Sequence, residues 1–273
     1  MLRRLAAILL ATTLPMSAAT QLASVPSDTL LAGITARGRS LAAYDQAAWH
    51  ATDALLTLVP EFTLAKTGNT MLAWQQLDGH WTVLFGRLTN SQDTLFSLFE
   101  AQQTERMDSF AVKRNDPPRA LLGPERRAAA ALQLAKTDFG TPQRPYNSYV
   151  LPRTDGEFWV YFLPAQTDVR EFPHGADVRY LVDSTGRRIV DKHPMHRALL
   201  NLAVPDSAVG GLHTVLVDDV PQDSDVFLVL ARRPRRHELI ATAHYNYEVA
   251  LDGSITWQVA DRESHRLNSS DDR

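Results

Sequence analysis

TMLAWQQLDGHWTVLFGR, running from Thr70 to Arg87, contains two strand-like runs, Thr70–Gln76 and His80–Arg87, on either side of Leu77-Asp78-Gly79. Asp-Gly is a strong signal for a tight hairpin turn, and Val83 and Phe85 alternate with Thr82 and Leu84 as they would on a strand. The signal recurs. Asp155-Gly156 separates Tyr146–Leu151 from Phe158–Leu163, and Asp252-Gly253 separates Leu239–Leu251 from Ser254–Val259. Ser184-Thr185-Gly186 divides Val178–Asp183 from Arg188–Asp191 in the same way. Strands joined by so few residues have to pair antiparallel. Thr94–Phe99 and Met107–Lys113 extend the first hairpin into a meander, and Asn115-Asp116-Pro117-Pro118 reads as a loop. Leu212–Val217 and Val226–Ala231 read as further strands, and His193 to Leu202 as a short helix with Pro194 in its first turn.

Outward from these hairpins, two helices are marked. Ser27-Asp28 can cap the first, which runs toward Leu58 and stops before Pro60. Ile34, Leu41, Ala48 and Leu55 recur at seven-residue spacing. Gly33 and Gly38 are expected to break its first half, so the firm part is Ser40 to Leu58. The second opens at Pro124, carries Ala128, Leu132, Ala135 and Phe139 on one stripe, and ends at Gly140. The fold class that follows is α+β: antiparallel β-meanders, mostly in the C-terminal half, packed with two main helices from the N-terminal half. The division expected is 20–140 (helix, meander, helix) and 141–261 (mainly antiparallel β), with Thr141–Pro145 as the break, or one continuous domain across it. Residues 262–273 read as a polar tail.

The first residues read as an export signal: Arg3 and Arg4, an apolar run from Leu5 to Leu14, then Ser17-Ala18-Ala19, with cleavage expected after Ala19. The run is shorter than the ~20 residues a membrane span needs. The expectation is a bacterial protein, soluble in the periplasm or the medium, with no transmembrane span once residues 1–19 are removed.

Composition narrows the chemistry. The chain has 273 residues, no cysteine and a net charge of -3. Thiol nucleophiles, thiolate metal sites and disulfides are therefore excluded, and a nucleic-acid partner is not expected of so weakly charged a chain. The basic run Arg232-Arg233-Pro234-Arg235-Arg236-His237 reads as a solvated connection. There is no Gly-x-Ser-x-Gly elbow, P-loop or dinucleotide glycine fingerprint. Trp81, Trp159 and Trp257 each follow an Asp-Gly turn and read as core aromatics on return strands.

Two clusters remain as candidate sites. Six of the nine histidines fall between His174 and His244. His193 and His196 would share a helix face, and neutral imidazoles so placed can ligate one metal. His213, His174 and Asp191 are the candidates to complete such a site, which would hold zinc or another divalent metal. In Leu239–Leu251, strict alternation sends His244, Asn246 and Glu248 to the face opposite Tyr245, Tyr247 and Val249, where they could line a binding surface. Asp218, Asp219, Asp223 and Asp225 form an acidic turn that does not match an EF-hand loop. The functional expectation is a non-catalytic protein that binds an unidentified ligand or protein partner. The alternative is a metal-dependent hydrolase built on the histidines, and the sequence does not decide between an enzyme and a binding protein.

Overall fold

The Asp-Gly turns close as hairpins. Strand β1 (Asn69–Gln75) pairs antiparallel with β2 (Trp81–Leu88). The turn is held by Gln76 N–H to His80 O at 2.7 Å and by the Asp78 carboxylate accepting from His80 N–H at 3.0 Å. Gly79, Gly156 and Gly253 all sit near φ +85, at +88, +86 and +83, where a side chain would be strained. In this computed structural model residues 25–59, 69–168, 170–203 and 209–260 are described. The segments read as signal (1–19) and tail (262–273) lie outside them.

Three helices and fourteen strands are present among the described residues. Strands β1, β2, β3 (Leu95–Gln103) and β4 (Phe110–Leu121) form an up-and-down sheet in that order. A second sheet orders β5 (Tyr146–Pro152), β6 (Phe158–Pro164), β8 (Val178–Val182) and β9 (Ile189–Pro194). Strand β7 (Glu171–Gly175) leaves that run to pair with β10 (Leu199–Ala203). The fourth sheet orders β11 (Gly210–Thr214), β12 (His237–Ala241), β13 (Tyr245–Val249) and β14 (Ile255–Val259). The architecture is α+β with pairing antiparallel except between β11 and β12.

Helix α1 (Asp28–Leu58) runs unbroken from its Ser27 cap, so its glycines do not break its first half as expected. Gly38 instead lies where α1 meets helix α3 (Asp223–Ala231), close against Val226 and the Asp223 carbonyl. Tyr44 of α1 accepts the Ala73 N–H of edge strand β1 at 3.0 Å, satisfying a group that no strand reaches. Helix α2 (Pro124–Phe139) lies across the first two sheets. Three cores result, and each draws side chains from both sides of the Thr141–Pro145 loop. Trp81 is buried in one core, while Trp159 and Trp257 pack at the margins of two.

Several local expectations are corrected. Residues 115–118 belong to β4, where a register shift opposite Ser97 and Phe99 turns Asn115 inward to Ser97 and Glu100. His193–Leu202 is not a helix: His193 pairs with Arg179 on β8, and Leu199 and Leu200 pair with β7. These ladders outweigh the weak local helix signal. Val226–Ala231 is part of α3, not a strand. It is apolar all round because Asp223 through Leu230 are all buried, and such a run has no period to read. The α3 crossover is also what permits β11 and β12 to run parallel. Leu239–Leu251 divides into β12 and β13 at a turn in which Asp219 accepts from Thr242 Oγ1 at 2.7 Å and from His244 N–H at 3.1 Å. The Arg232–His237 connection is not wholly solvated: Arg232 is buried, donating to Glu238 and to the Arg236 carbonyl.

Candidate functional site

The N-terminus of α3 organises the polar interior. Gln222 is its cap, and the backbone N–H of Gln222 donates to Asp225 Oδ2 at 2.7 Å, a reciprocal capping box. One oxygen of Asp225 therefore closes the helix and leaves Oδ1 facing away from it. Three imidazoles converge on that oxygen. His174 Nε2 lies 3.0 Å away, His213 Nε2 3.1 Å and His196 Nε2 3.2 Å. Strand β7 supplies His174 and β11 supplies His213. His196 follows β9 in a segment tied down by Met195 N–H to the Asp177 carbonyl and by Ala176 N–H to the Ala198 carbonyl, each at 3.0 Å. All four residues are buried and their donor atoms lie within 4.8 Å of one another.

A carboxylate oxygen has two lone-pair directions and cannot accept well from three donors. His213 makes the aligned hydrogen bond. The Nε2 atoms of His174 and His196 are buried and lack any hydrogen-bond partner, despite their distance from Oδ1. The outer nitrogens are engaged. His213 Nδ1 meets Glu238 Oε1 at 2.9 Å, and His196 Nδ1 meets Asp177 Oδ1 at 3.0 Å. Glu238 is steadied by Arg232 at 2.9 Å and occupies space left by Gly211, where a Cβ would collide with its carboxylate.

Electrostatics follow from this crowding. Burial pushes the Asp225 carboxyl up, but the three imidazoles hold it well below the usual carboxylate range. Burial pushes His196 down, yet Asp225 and Asp177 raise it to about 10. His213 is likewise lowered by burial and raised by Asp225 and Glu238, to about 9.

The structure thus brings together His174, His196 and His213 from the sequence candidates and leaves out the other two. His193 Nε2 meets Asp218 at 3.0 Å and Gln222 at 3.1 Å, and Asp191 is an exposed residue of β9 opposite Leu181. Sequence reasoning missed Asp225, Asp177 and Glu238. Gln222 and Asp225 form a capping-box pair in the fold, but Gln-x-x-Asp is not the usual Ser/Thr-x-x-Glu/Gln signature, so the spacing carries no clear sequence signal. On the other candidate face, Asn246 and Glu248 point away from the buried Tyr245, Tyr247 and Val249. Glu248 pairs with His237 at 2.7 Å, and His244 lies in the turn before β13 with its Nδ1 2.6 Å from Asp219.

The acidic turn serves four different contacts rather than one cation. Asp218 meets His193, Asp219 meets His244, and Asp225 meets the histidine cluster. Asp223, fully buried, receives Arg37 at 2.9 Å, Arg179 at 2.6 Å and the Tyr161 hydroxyl at 2.9 Å.

Elsewhere, a cavity of about 960 Å³ opens between α1, the end of α2 and strands β5 to β7. Trp49, Phe139, Tyr146 and Phe172 contribute apolar walls. Its charged groups are Lys136, Arg144, Arg233 and Asp45. Burial pushes the Asp45 carboxyl up, only partly offset by the Tyr149 hydroxyl that donates to it at 2.9 Å and by Arg233. Burial lowers Lys136, and the Arg144 Nε–H is buried without a partner. No helix among the described residues is long and apolar enough to cross a membrane. No family model matches the chain, and neither does any curated protein or solved structure.

Proposed function

We propose that this is an exported bacterial protein, soluble in the periplasm or the medium, that binds an amphiphilic organic anion without transforming it. The observation that carries this reading is the cavity's combination of aromatic walls with three cationic side chains and one carboxyl displaced toward its neutral form. Its volume falls near the upper end of the ~300–1,000 Å³ typical of small-molecule sites. An apolar tail would cover Trp49, Phe139 and Phe172, and a carboxylate head would meet Lys136 and Arg144. The order of basic, apolar and small residues across Arg3–Ala19 supports export. The hydrolase alternative has less support, because it needs a water-accessible position beside the histidines, and all four cluster residues are buried.

Titration with dansyl-labelled undecanoic acid, followed by displacement with laurate, tests the binding. Saturable fluorescence enhancement is expected, reversed by laurate and weakened at least tenfold in Lys136→Met/Arg144→Met. Equal enhancement in that variant, or none in the native protein, would remove the proposal. N-terminal sequencing of protein secreted by a bacterial host tests the export step, with Thr20 expected as the first residue.

A further inference from the structure

We propose that His174, His196, His213 and Asp225 hold a single divalent transition-metal ion, with zinc the best fit, as a closed structural site. None of these four residues lines the ligand cavity.

The donor set is three imidazole nitrogens and one carboxylate oxygen, which suits zinc. With metal–ligand bonds of ~2.0–2.2 Å, the edges of a tetrahedral site are about 3.3–3.6 Å. The three nitrogen-to-Oδ1 edges, at 3.0, 3.1 and 3.2 Å, are already close to that. The nitrogens need only draw inward from a set whose widest separation is 4.8 Å.

The unpartnered atoms point the same way. His174 Nε2 and His196 Nε2 are buried, adjacent and without hydrogen bonds, an arrangement that a purely hydrogen-bonded cluster would not favour. A cation between them and Oδ1 would engage both lone pairs at once. The outer contacts suit that role too. Asp177 and Glu238 accept from Nδ1 of His196 and His213, so a metal that displaces the Nε2 protons finds each ring already oriented to ligate through Nε2. Carboxylate partners on the far side of ligating histidines are a recurrent feature of metal sites.

Burial and origin make the ion structural. The His174, His196, His213 and Asp225 side chains are 3%, 9%, 2% and 0% exposed, so four protein ligands fill the tetrahedron with little access for water. They come from β7, the β9–β10 connection, β11 and the start of α3. The ion would therefore join three sheets and a helix that hydrogen-bonded strand ladders do not otherwise link.

The test uses full-length protein purified without a polyhistidine tag. After chelator treatment and dialysis, it is titrated with Co²⁺ and with Zn²⁺. One equivalent of Co²⁺ should give the intense visible absorption of a four-coordinate site, Zn²⁺ should abolish it, and Zn²⁺ should raise the melting temperature. Asp177→Asn should weaken metal affinity by about 10–100-fold, and His174→Ala/His196→Ala should abolish the absorption. His237→Gln and His244→Gln, outside the cluster, should leave it unchanged. If the double variant fails to fold, the native protein and Asp177→Asn still decide. The proposal is overturned by the absence of stoichiometric Co²⁺ binding to folded native protein, by the weak spectrum of a six-coordinate ion, or by binding that survives loss of both histidines. Tight binding with no change in melting temperature would overturn the structural role.

Discussion

Gly33→Ala and Gly38→Ala make the same chemical change on one helix and should move stability in opposite directions. Replacing glycine by alanine in a helix interior gains about 0.5–1 kcal/mol from backbone conformational entropy. At Gly33 the added methyl meets only Arg37 Nη1 at 3.2 Å; Asp223 holds that guanidinium through Nε and Nη2, so Nη1 has to give by a few tenths of an ångström and part of the gain should survive. At Gly38 it meets Val226 Cγ1 at 2.7 Å and the Asp223 carbonyl oxygen at 2.8 Å, and lies closer still to Val226 Cβ. The carbonyl is rigid: it belongs to the first turn of α3, whose Asp223 side chain is gripped by Arg37, Arg179 and Tyr161. Restoring ordinary contact needs α1 and α3 to part by roughly 1 Å. Overpacking of this kind costs about 1–3 kcal/mol or more, which exceeds the helix gain. In a chain of this size 1 kcal/mol corresponds to ~2–4 °C in melting temperature. Gly33→Ala should therefore melt about 1–4 °C higher and Gly38→Ala several degrees lower, measured by differential scanning calorimetry at one pH and protein concentration. A higher melting temperature for Gly38→Ala would refute the claim that this glycine exists for helix contact.

Three other substitutions probe different terms. Tyr44→Phe leaves the buried Ala73 N–H without an acceptor and should cost about 1–3 kcal/mol in urea unfolding; an unchanged midpoint would show that the edge of β1 finds another partner. Asp223→Asn keeps the shape but leaves Arg37 and Arg179 facing a neutral group, for an expected loss of about 3–5 kcal/mol, and a loss under 1 kcal/mol would contradict it. Burial raises the Glu100 carboxyl, but Arg119, Asn115 and Ser97 outweigh it and bring it below its ordinary 4.5. A lowered folded value stabilises fully above 4.5 and loses that contribution as pH falls through the folded value. Glu100→Gln should therefore be less stable than the native protein at pH 7, by about 1–2 kcal/mol since Arg119 is half exposed. The gap should narrow below pH 4.5, and a gap constant from pH 7 to pH 3 would disprove the assignment.

The hairpins were legible because an Asp-Gly turn is a local instruction: position 79, 156 or 253 needs positive φ whatever the rest of the chain does. Helix α2 was legible because proline, a periodic alanine stripe and glycine mark its start, face and end. Helix α3 was not, because a segment buried on every side carries no hydrophobic period. Likewise β9 and β10 exist because β8 and β7 offer ladders, and nothing within His193–Leu202 announces those partners. The histidines were conspicuous as a residue type, but the pair closest in sequence proved misleading. His193 lies on a strand and turns to Asp218, while His196 joins residues 22 positions before it and 17 and 29 positions after it in the chain. Asp225 read as one of several acidic turn residues, because only the cap geometry of α3 separates its two oxygens into a helix-closing and a histidine-facing atom.

The seating of α1 has a consequence for biosynthesis. Leu31 and Ile34, in its first turns, are covered by Val226, Ile240, Tyr245 and Tyr247, side chains that leave the ribosome about two hundred residues later. At ~5–20 residues per second, those two wait roughly 10–40 s for the surface that shields them. During that interval the leading helix carries a bare greasy stripe. A version truncated ahead of residue 223 should therefore precipitate rather than fold as a half.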